Sequence, residues 1–94
     1  MKVMLWGGKA KARIIIEMIS EIYKGKAEII GMFDKSLNKA PFHTTINVYS
    51  DRIGLEYLFK NATHFVVCIG GEHGYARFNT AQRLIEKGLK PLNL

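Results

Sequence analysis

An apolar run that stops at a glycine pair constrains the fold of this chain more than any other feature. The run Val3–Trp6 is followed by Gly7–Gly8, and a helical pattern begins directly afterwards. Strand, glycine turn and helix in this order direct free backbone N–H groups and the positive helix end toward an anion. Lys9, Lys11 and Arg13 add three cations at the same place, which is unfavourable for folding unless an anion binds. The segment predicts an anion site, with phosphate as the obvious ligand.

Length and composition indicate one small domain. The 94 residues, 48% of them hydrophobic, are enough for a single core, and we expect one domain over residues 1–94. No stretch approaches the roughly 20 apolar residues that span a membrane. The beginning of the chain lacks the pattern of a signal peptide, so we expect a cytoplasmic protein that binds no membrane.

The net charge of +6 favours anionic partners but does not choose among nucleic acid, phosphorylated metabolites and acidic lipid. Tyr49, Tyr57 and Tyr75 do not alternate with basic residues in the manner of an RNA-binding surface. We therefore expect no nucleic-acid partner.

Catalytic and metal-ligating patterns are weak in this sequence. Cys68 is the single cysteine and lies in an apolar run, which predicts a buried thiol rather than a nucleophile. His43, His64 and His73 have no metal-ligand spacing, and no nucleophile stands at a fixed distance from His73. We predict no catalytic residue and no metal site in this chain.

Periodicity predicts strands that alternate with helices, and hence a small Rossmann-like α/β fold with a parallel sheet of about five strands and helices on both faces. The first helix is expected to bury Ile15, Met18, Ile19 and Ile22. The third helix is expected to bury Ala76, Thr80, Ala81, Leu84 and Ile85. The predicted elements are strands at 2–6, 27–33, 45–49, 63–69 and 89–94 and helices at 9–23, 51–60 and 72–87.

Three segments are predicted to meet at one edge of this sheet. Ligands of parallel α/β sheets bind beyond the carboxyl ends of the strands, where the strand order reverses. The first, second and fourth predicted strands end at Gly7–Lys11, Asp34–Lys35 and Gly70–Gly71. A carboxylate at Asp34 could accept hydrogen bonds from a ribose or from a base N–H, and Lys35 could pair with a phosphate. We expect the binding site to consist of these segments.

The first turn departs from two familiar phosphate-binding motifs. Against the dinucleotide pattern G-x-G-x-x-G/A, Gly7 and Ala12 fit, but Lys9 replaces the middle glycine that lets a pyrophosphate lie against the backbone. The spacing of a P-loop is absent. An NAD(P)-binding domain, with Lys9 and Lys35 on a pyrophosphate or 2′-phosphate, stays open as an alternative.

The chain resembles the N-terminal domain of bacterial nucleotide-sugar acyltransferases of the PglD and NeuD type. The resemblance covers nearly the whole chain and depends on the order and spacing of short segments rather than on any one of them. These segments are Val-Met-Leu-Trp-Gly-Gly-Lys-Ala-Lys-Ala-Arg-Ile-Ile, Ile-Ile-Gly-Met-Phe-Asp, Phe-Val-Val-Cys-Ile-Gly-Gly and Leu-Ile-Glu-Lys-Gly-Leu-Lys-Pro-Leu-Asn-Leu.

The resemblance implies a domain that holds a UDP-linked amino sugar. It also implies a following left-handed β-helix that binds acetyl-CoA, carries the catalytic histidine and forms a homotrimer. Because the 94 residues stop where that β-helix would begin, we expect this chain to bind and orient the sugar nucleotide without catalysing, and to hold no cofactor.

Site residues carry over from the family only at matching positions. Gly7 and Gly8 match the start of the family's first turn, while Lys9, Ala10 and Lys11 depart from its usual Gly-Ala-Ser/Gly-Gly-His-Ala/Gly. The family has an acidic pair that contacts the nucleotide. Asp34 matches the first residue of this pair, and Lys35 replaces the second. Gly70 matches the family's glycine after the fourth strand. A non-catalytic regulatory or oligomerisation module with a degenerate pocket is a further alternative.

Overall fold

Strands and helices alternate along the chain in a computed structural model that describes residues 1–69 and 74–94, apart from the side chain of residue 75. The described residues form five strands and three helices. These are β1 (Lys2–Trp6), α1 (Ala10–Tyr23), β2 (Glu28–Phe33), β3 (Val48–Tyr49), α2 (Arg52–Asn61), β4 (His64–Val67), α3 (Gly74–Glu86) and β5 (Lys90–Pro91).

All strand pairs are parallel, and the strand order is β3-β2-β1-β4-β5. The chain winds outward from β1 through β2 to β3 and then crosses to the other side of β1. The strand order therefore reverses beside β1, so that its carboxyl end lies between those of β2 and β4. This confirms the predicted α/β class, and the order places the topological switch point at the glycine turn.

Alternating side chains of β1 divide the core into two layers. Val3 and Leu5 pack with Ala12, Ile15 and Ile19 of α1 on one face. On the other face, Met4 packs with residues of α2 and α3, which include Leu58 and Leu84. Period-two alternation in a strand buried on both faces produces this arrangement, and it confirms helices on both faces of the sheet.

Three apolar side chains that we expected in the core are exposed, those of Ile22, Ala76 and Ile85. Ile22 is 51% exposed and Ile85 is 43% exposed. The buried residues of α1 are Ala12, Ile15 and Ile19, and Ile22 lies beyond them in the last turn of the helix. In α3 the buried side chain is Leu84, and its neighbour Ile85 points about 100° away from it.

The strands at the two edges are shorter than predicted. β3 has two residues because most of the preceding apolar stretch lies in a loop, where Thr44 Oγ1 accepts a hydrogen bond from the N–H of Ile46 at 3.1 Å. β5 has two residues as well and contains Pro91, which cannot donate to a neighbouring strand. In the described part of the chain, no helix has the length and apolar character needed to cross a membrane.

Candidate functional site

The turn after β1 is fixed by its neighbours on both sides. The N–H of Gly7 donates to the carbonyl of Phe33 at 2.7 Å, and the N–H of Cys68 donates to the carbonyl of Trp6 at 2.8 Å. Gly7 has a φ of +112°, and a Cβ placed there would lie 2.8 Å from the carbonyl oxygen of Cys68. A left-handed backbone with no room for a side chain requires glycine at this position.

The carboxylate of Asp34, directly after β2, holds the same turn. Its Oδ2 accepts a hydrogen bond from the N–H of Gly8 at 3.1 Å. Its Oδ1 accepts from the N–H of Ser36 at 3.0 Å and from the Ser36 hydroxyl at 2.6 Å. Three of the roughly four acceptor positions of a carboxylate are thus in use, and one on Oδ2 remains for a ligand.

These contacts keep Asp34 ionised. Partial burial on its own would raise the pKa of the carboxyl group. The hydrogen bonds from the Ser36 side chain and backbone and from Gly8, together with the charge of Lys9, outweigh that effect and hold the pKa of Asp34 below its ordinary value. The site therefore contains a fixed negative charge next to its cations.

Helix α1 begins at this turn without a side-chain cap. Lys9 is its N-cap residue and makes no capping hydrogen bond, and the first turn contains no acidic residue. Helix α2 begins differently, because Asp51 caps it by accepting from the N–H of Gly54 at 2.8 Å. The start of α1 thus combines a positive helix end with the ammonium groups of Lys9 and Lys11, both of which are exposed.

A cavity of about 380 Å³ lies over the start of α1. Six of the residues predicted for the site line this cavity, and two more come from the segment directly after β4. Its lining residues are Gly7, Gly8, Lys9, Ala10, Lys11, Asp34, Cys68 and Ile69. The structure thus places the first turn and Asp34 around one cavity, as the predicted convergence of strand ends requires.

The other predicted site residues lie elsewhere or outside the described part. Lys35 lines a neighbouring cavity of about 320 Å³ together with Trp6, whose ring packs against Phe33 at 4.9 Å between centroids. This cavity also contacts Gly7 and Asp34, so it adjoins the first one. The predicted residues Gly70 and Gly71, like His73, lie outside the described residues.

The thiol of Cys68 lies beside the site but does not have the properties of a nucleophile. Burial raises its pKa to about 12, against a smaller opposite effect of the charge of Lys11. The thiol is therefore neutral near pH 7 and packs as a small apolar group. Among the described residues, no group of three or more His, Cys, Asp or Glu side chains is arranged to hold a metal ion.

Sequence reasoning missed the contribution of the loop between β2 and β3. Ser36 completes the hydrogen bonding of Asp34, and the spacing Asp-x-Ser, typical of a turn closed by a side chain, was the available signal. Leu37, Pro41 and Phe42 line a further cavity of about 370 Å³ that also contacts Lys9 and Ala10. Nothing in the local pattern indicated that this loop would fold against α1.

We compared the chain with models of protein families, with curated proteins and with solved structures, and none of the three comparisons gave a match. The resemblance to nucleotide-sugar acyltransferases therefore stays a prediction. The geometry of the site is the basis for a functional proposal.

Proposed function

We propose that this domain binds a nucleotide-linked sugar, with UDP as the nucleotide, and that the phosphate groups lie over the start of α1. The observation that supports this most strongly is the cavity at the switch point, where the glycine turn, Asp34 and the uncapped helix end meet. Backbone N–H groups at a helix start are suited to bind phosphate oxygens.

Electrostatics favour an anion at this position. Lys9 and Lys11 extend from the positive end of α1, where the first turn contains no acidic residue, and the nearby carboxylate of Asp34 offsets only part of their charge. Each cation in such a position costs about 0.3–1 kcal/mol at low ionic strength. A bound diphosphate removes this cost and accepts hydrogen bonds from the N–H groups at the helix start.

The site also offers contacts beyond the phosphate. Asp34 Oδ2 has an acceptor position left for a ribose hydroxyl. Two further cavities adjoin the cavity over the start of α1. One is lined by Lys35 and Trp6, and the other by Phe42. An extended ligand such as a sugar nucleotide fits this arrangement better than an isolated phosphate ion.

In an acyltransferase of the kind that this chain resembles, such a domain would orient the amine or hydroxyl group of the sugar toward acetyl-CoA held elsewhere. Its contribution would be positioning rather than proton transfer. A cytoplasmic location goes with this proposal, since a lone reduced thiol such as Cys68 is ordinary there.

Thermal unfolding with a ligand panel tests the proposal. UDP and UDP-linked amino sugars should raise the melting temperature, and at about 100 times the dissociation constant the gain is about 2.7 kcal/mol. Greater stabilisation by NADP(H) would instead support the dinucleotide alternative. No stabilisation by any compound would contradict binding and leave a regulatory or oligomerisation module.

A pair of lysine variants locates the ligand. Lys11→Ala removes an exposed cation at the site, and we expect it to weaken UDP binding about two- to fivefold at low salt. Lys60→Ala removes the same charge in the last turn of α2, at the opposite edge of the sheet, and should leave the affinity unchanged. Equal effects of the two variants would mean that only the net charge matters.

A further inference from the structure

We propose that the cavity between α1 and the β2–β3 loop binds the nucleobase of the ligand, and that Phe42 is the residue on which the base stacks. This inference rests on the proposed function, because it assumes that phosphate groups occupy the start of α1. It assigns a direction to the bound ligand, with the base on the α1 face of the sheet. The glycosyl group is then left to the side of Trp6 and Lys35.

The two cavities share part of their lining. Lys9 and Ala10 line both the cavity over the glycine turn and the cavity at the loop. Arg13, one turn further along α1, lines the loop cavity as well. A ligand whose phosphates contact Lys9 can thus extend along the flank of the helix without leaving the protein surface.

The chemistry of the lining favours a flat aromatic ring. Besides the two basic residues, the loop cavity is lined by Ala10, Leu37, Pro41 and Phe42, which offer carbon surfaces. A pyranose would place several hydroxyl groups against these side chains without hydrogen-bond partners, and such burial is costly. A nucleobase presents an apolar face, and every base can stack on an aromatic side chain.

Polar groups stand where the edge of a base would reach. Arg13 joins the loop cavity to a larger one of about 530 Å³, which Pro41 and Phe42 also line. The larger cavity contains Glu17, His43 and Thr44. An apolar section followed by a few polar groups is the usual composition of a site that selects a heterocyclic ring.

The competing position for the base is the cavity on the other side of the turn. Trp6 lines that cavity with Phe33, and an indole ring can also stack on a base. There the ring of Trp6 already packs against Phe33, with 4.9 Å between centroids. Trp6→Leu, which removes the aromatic face there, is therefore the variant that distinguishes the two positions.

The experiment compares UDP with inorganic pyrophosphate by calorimetric titration of the full chain. Phe42→Leu keeps an apolar side chain but removes the aromatic face, so we expect UDP affinity to fall about fivefold or more while pyrophosphate affinity is unchanged. Phe59→Leu is the matched control, because Phe59 is also half-buried but packs on the opposite face of the sheet. Trp6→Leu should leave the affinity ratio as it is.

Each result has a distinct meaning. An unchanged ratio of UDP to pyrophosphate affinity in Phe42→Leu, or a ratio reduced by Trp6→Leu instead, overturns the inference and leaves the proposed function standing. Absence of binding by both compounds overturns the proposed function and the inference with it.

A second measurement needs no variant. In nuclear magnetic resonance spectra of the unaltered protein, UDP should shift the amide signals of Leu37 and Phe42, and pyrophosphate should shift only those of residues 8–11. Equal shifts from both compounds at Leu37 and Phe42 would overturn the inference.

Discussion

The N–H of Gly8 donates to Oδ2 of Asp34 over 3.1 Å, and this bond joins the turn after β1 to the end of β2. The two residues are 26 positions apart in the sequence, so the contact exists only in the folded sheet. It orients the turn whose next N–H groups face the proposed phosphate. The carboxylate of Asp34 therefore supports the backbone of the proposed anion site.

Replacement of Asp34 by asparagine should destabilise the protein in a pH-dependent way. The amide can accept from Ser36 or from Gly8 but also directs a donor at one of them, and we expect a loss of about 1–2 kcal/mol at pH 7. Because the pKa of Asp34 is lowered from its ordinary 3.8, the carboxylate stabilises the fold above that pH and loses this effect as the pH falls through the folded-state pKa.

Urea unfolding at pH 7, 5 and 3 would measure the difference in free energy of unfolding between the unaltered protein and Asp34→Asn. This difference should shrink only at the lowest pH. Glu56→Gln is the control, since Glu56 forms an exposed ion pair with Arg52 at 3.3 Å that contributes little. If the difference in free energy of unfolding were the same at all three pH values, the charge of Asp34 would not contribute to stability.

Gly7→Ala should destabilise the protein more than Gly88→Ala does. Both Gly7 and Gly88 have positive φ, but only at Gly7 would the added Cβ approach another atom, the carbonyl oxygen of Cys68 at 2.8 Å. We expect about 1 kcal/mol for Gly88→Ala and about 2 kcal/mol or more for Gly7→Ala. Denaturant midpoints compare the two, and equal losses would mean that the turn has room to move.

Lys9→Ser should stabilise the free protein and weaken the binding of UDP. The backbone of Lys9 is extended and stands at an uncapped N-cap, where serine can accept from the helix N–H groups and add about 1 kcal/mol. The same capping removes donors and a cation from the proposed phosphate site. Thermal unfolding with and without UDP measures both effects, and a variant that is more stable yet binds UDP as before would exclude the helix start from the site.

Cys68 should be unreactive in the folded protein. With a pKa of about 12, about one thiol in ten thousand is ionised at pH 8, and the side chain is buried. We predict slow reaction with a thiol-specific disulfide reagent in buffer and rapid, complete reaction in urea. A fast reaction in buffer, measured by absorbance, would place the thiol at an accessible site.

The fold could be predicted from the sequence where local patterns and global packing agree. The run Val3–Trp6 and the glycine pair after it each have a local cause and are observed. Ile22 and Ile85 could not be placed correctly, because helical spacing allowed two overlapping faces and only contact with the sheet selects one of them.

The site could be predicted only in its central part. Parallel strands bring their carboxyl ends together, so Asp34 and the first turn were expected to meet. The cavity at Leu37 and Phe42 depends on how the β2–β3 loop folds back on α1, which is a long-range contact without a periodic signal. The two hydrogen bonds from Ser36 to Oδ1 of Asp34 depend on the same loop.

Amide chemical shifts during a titration with UDP test the central proposal most directly. The chain has 94 residues, and its amide signals can be resolved individually. We predict that the largest saturable shifts occur at Gly8, Lys9, Ala10 and Lys11, whose N–H groups surround the start of α1. Saturable shifts that centre on another surface, or no saturable shift at millimolar UDP, would contradict a phosphate site at this turn.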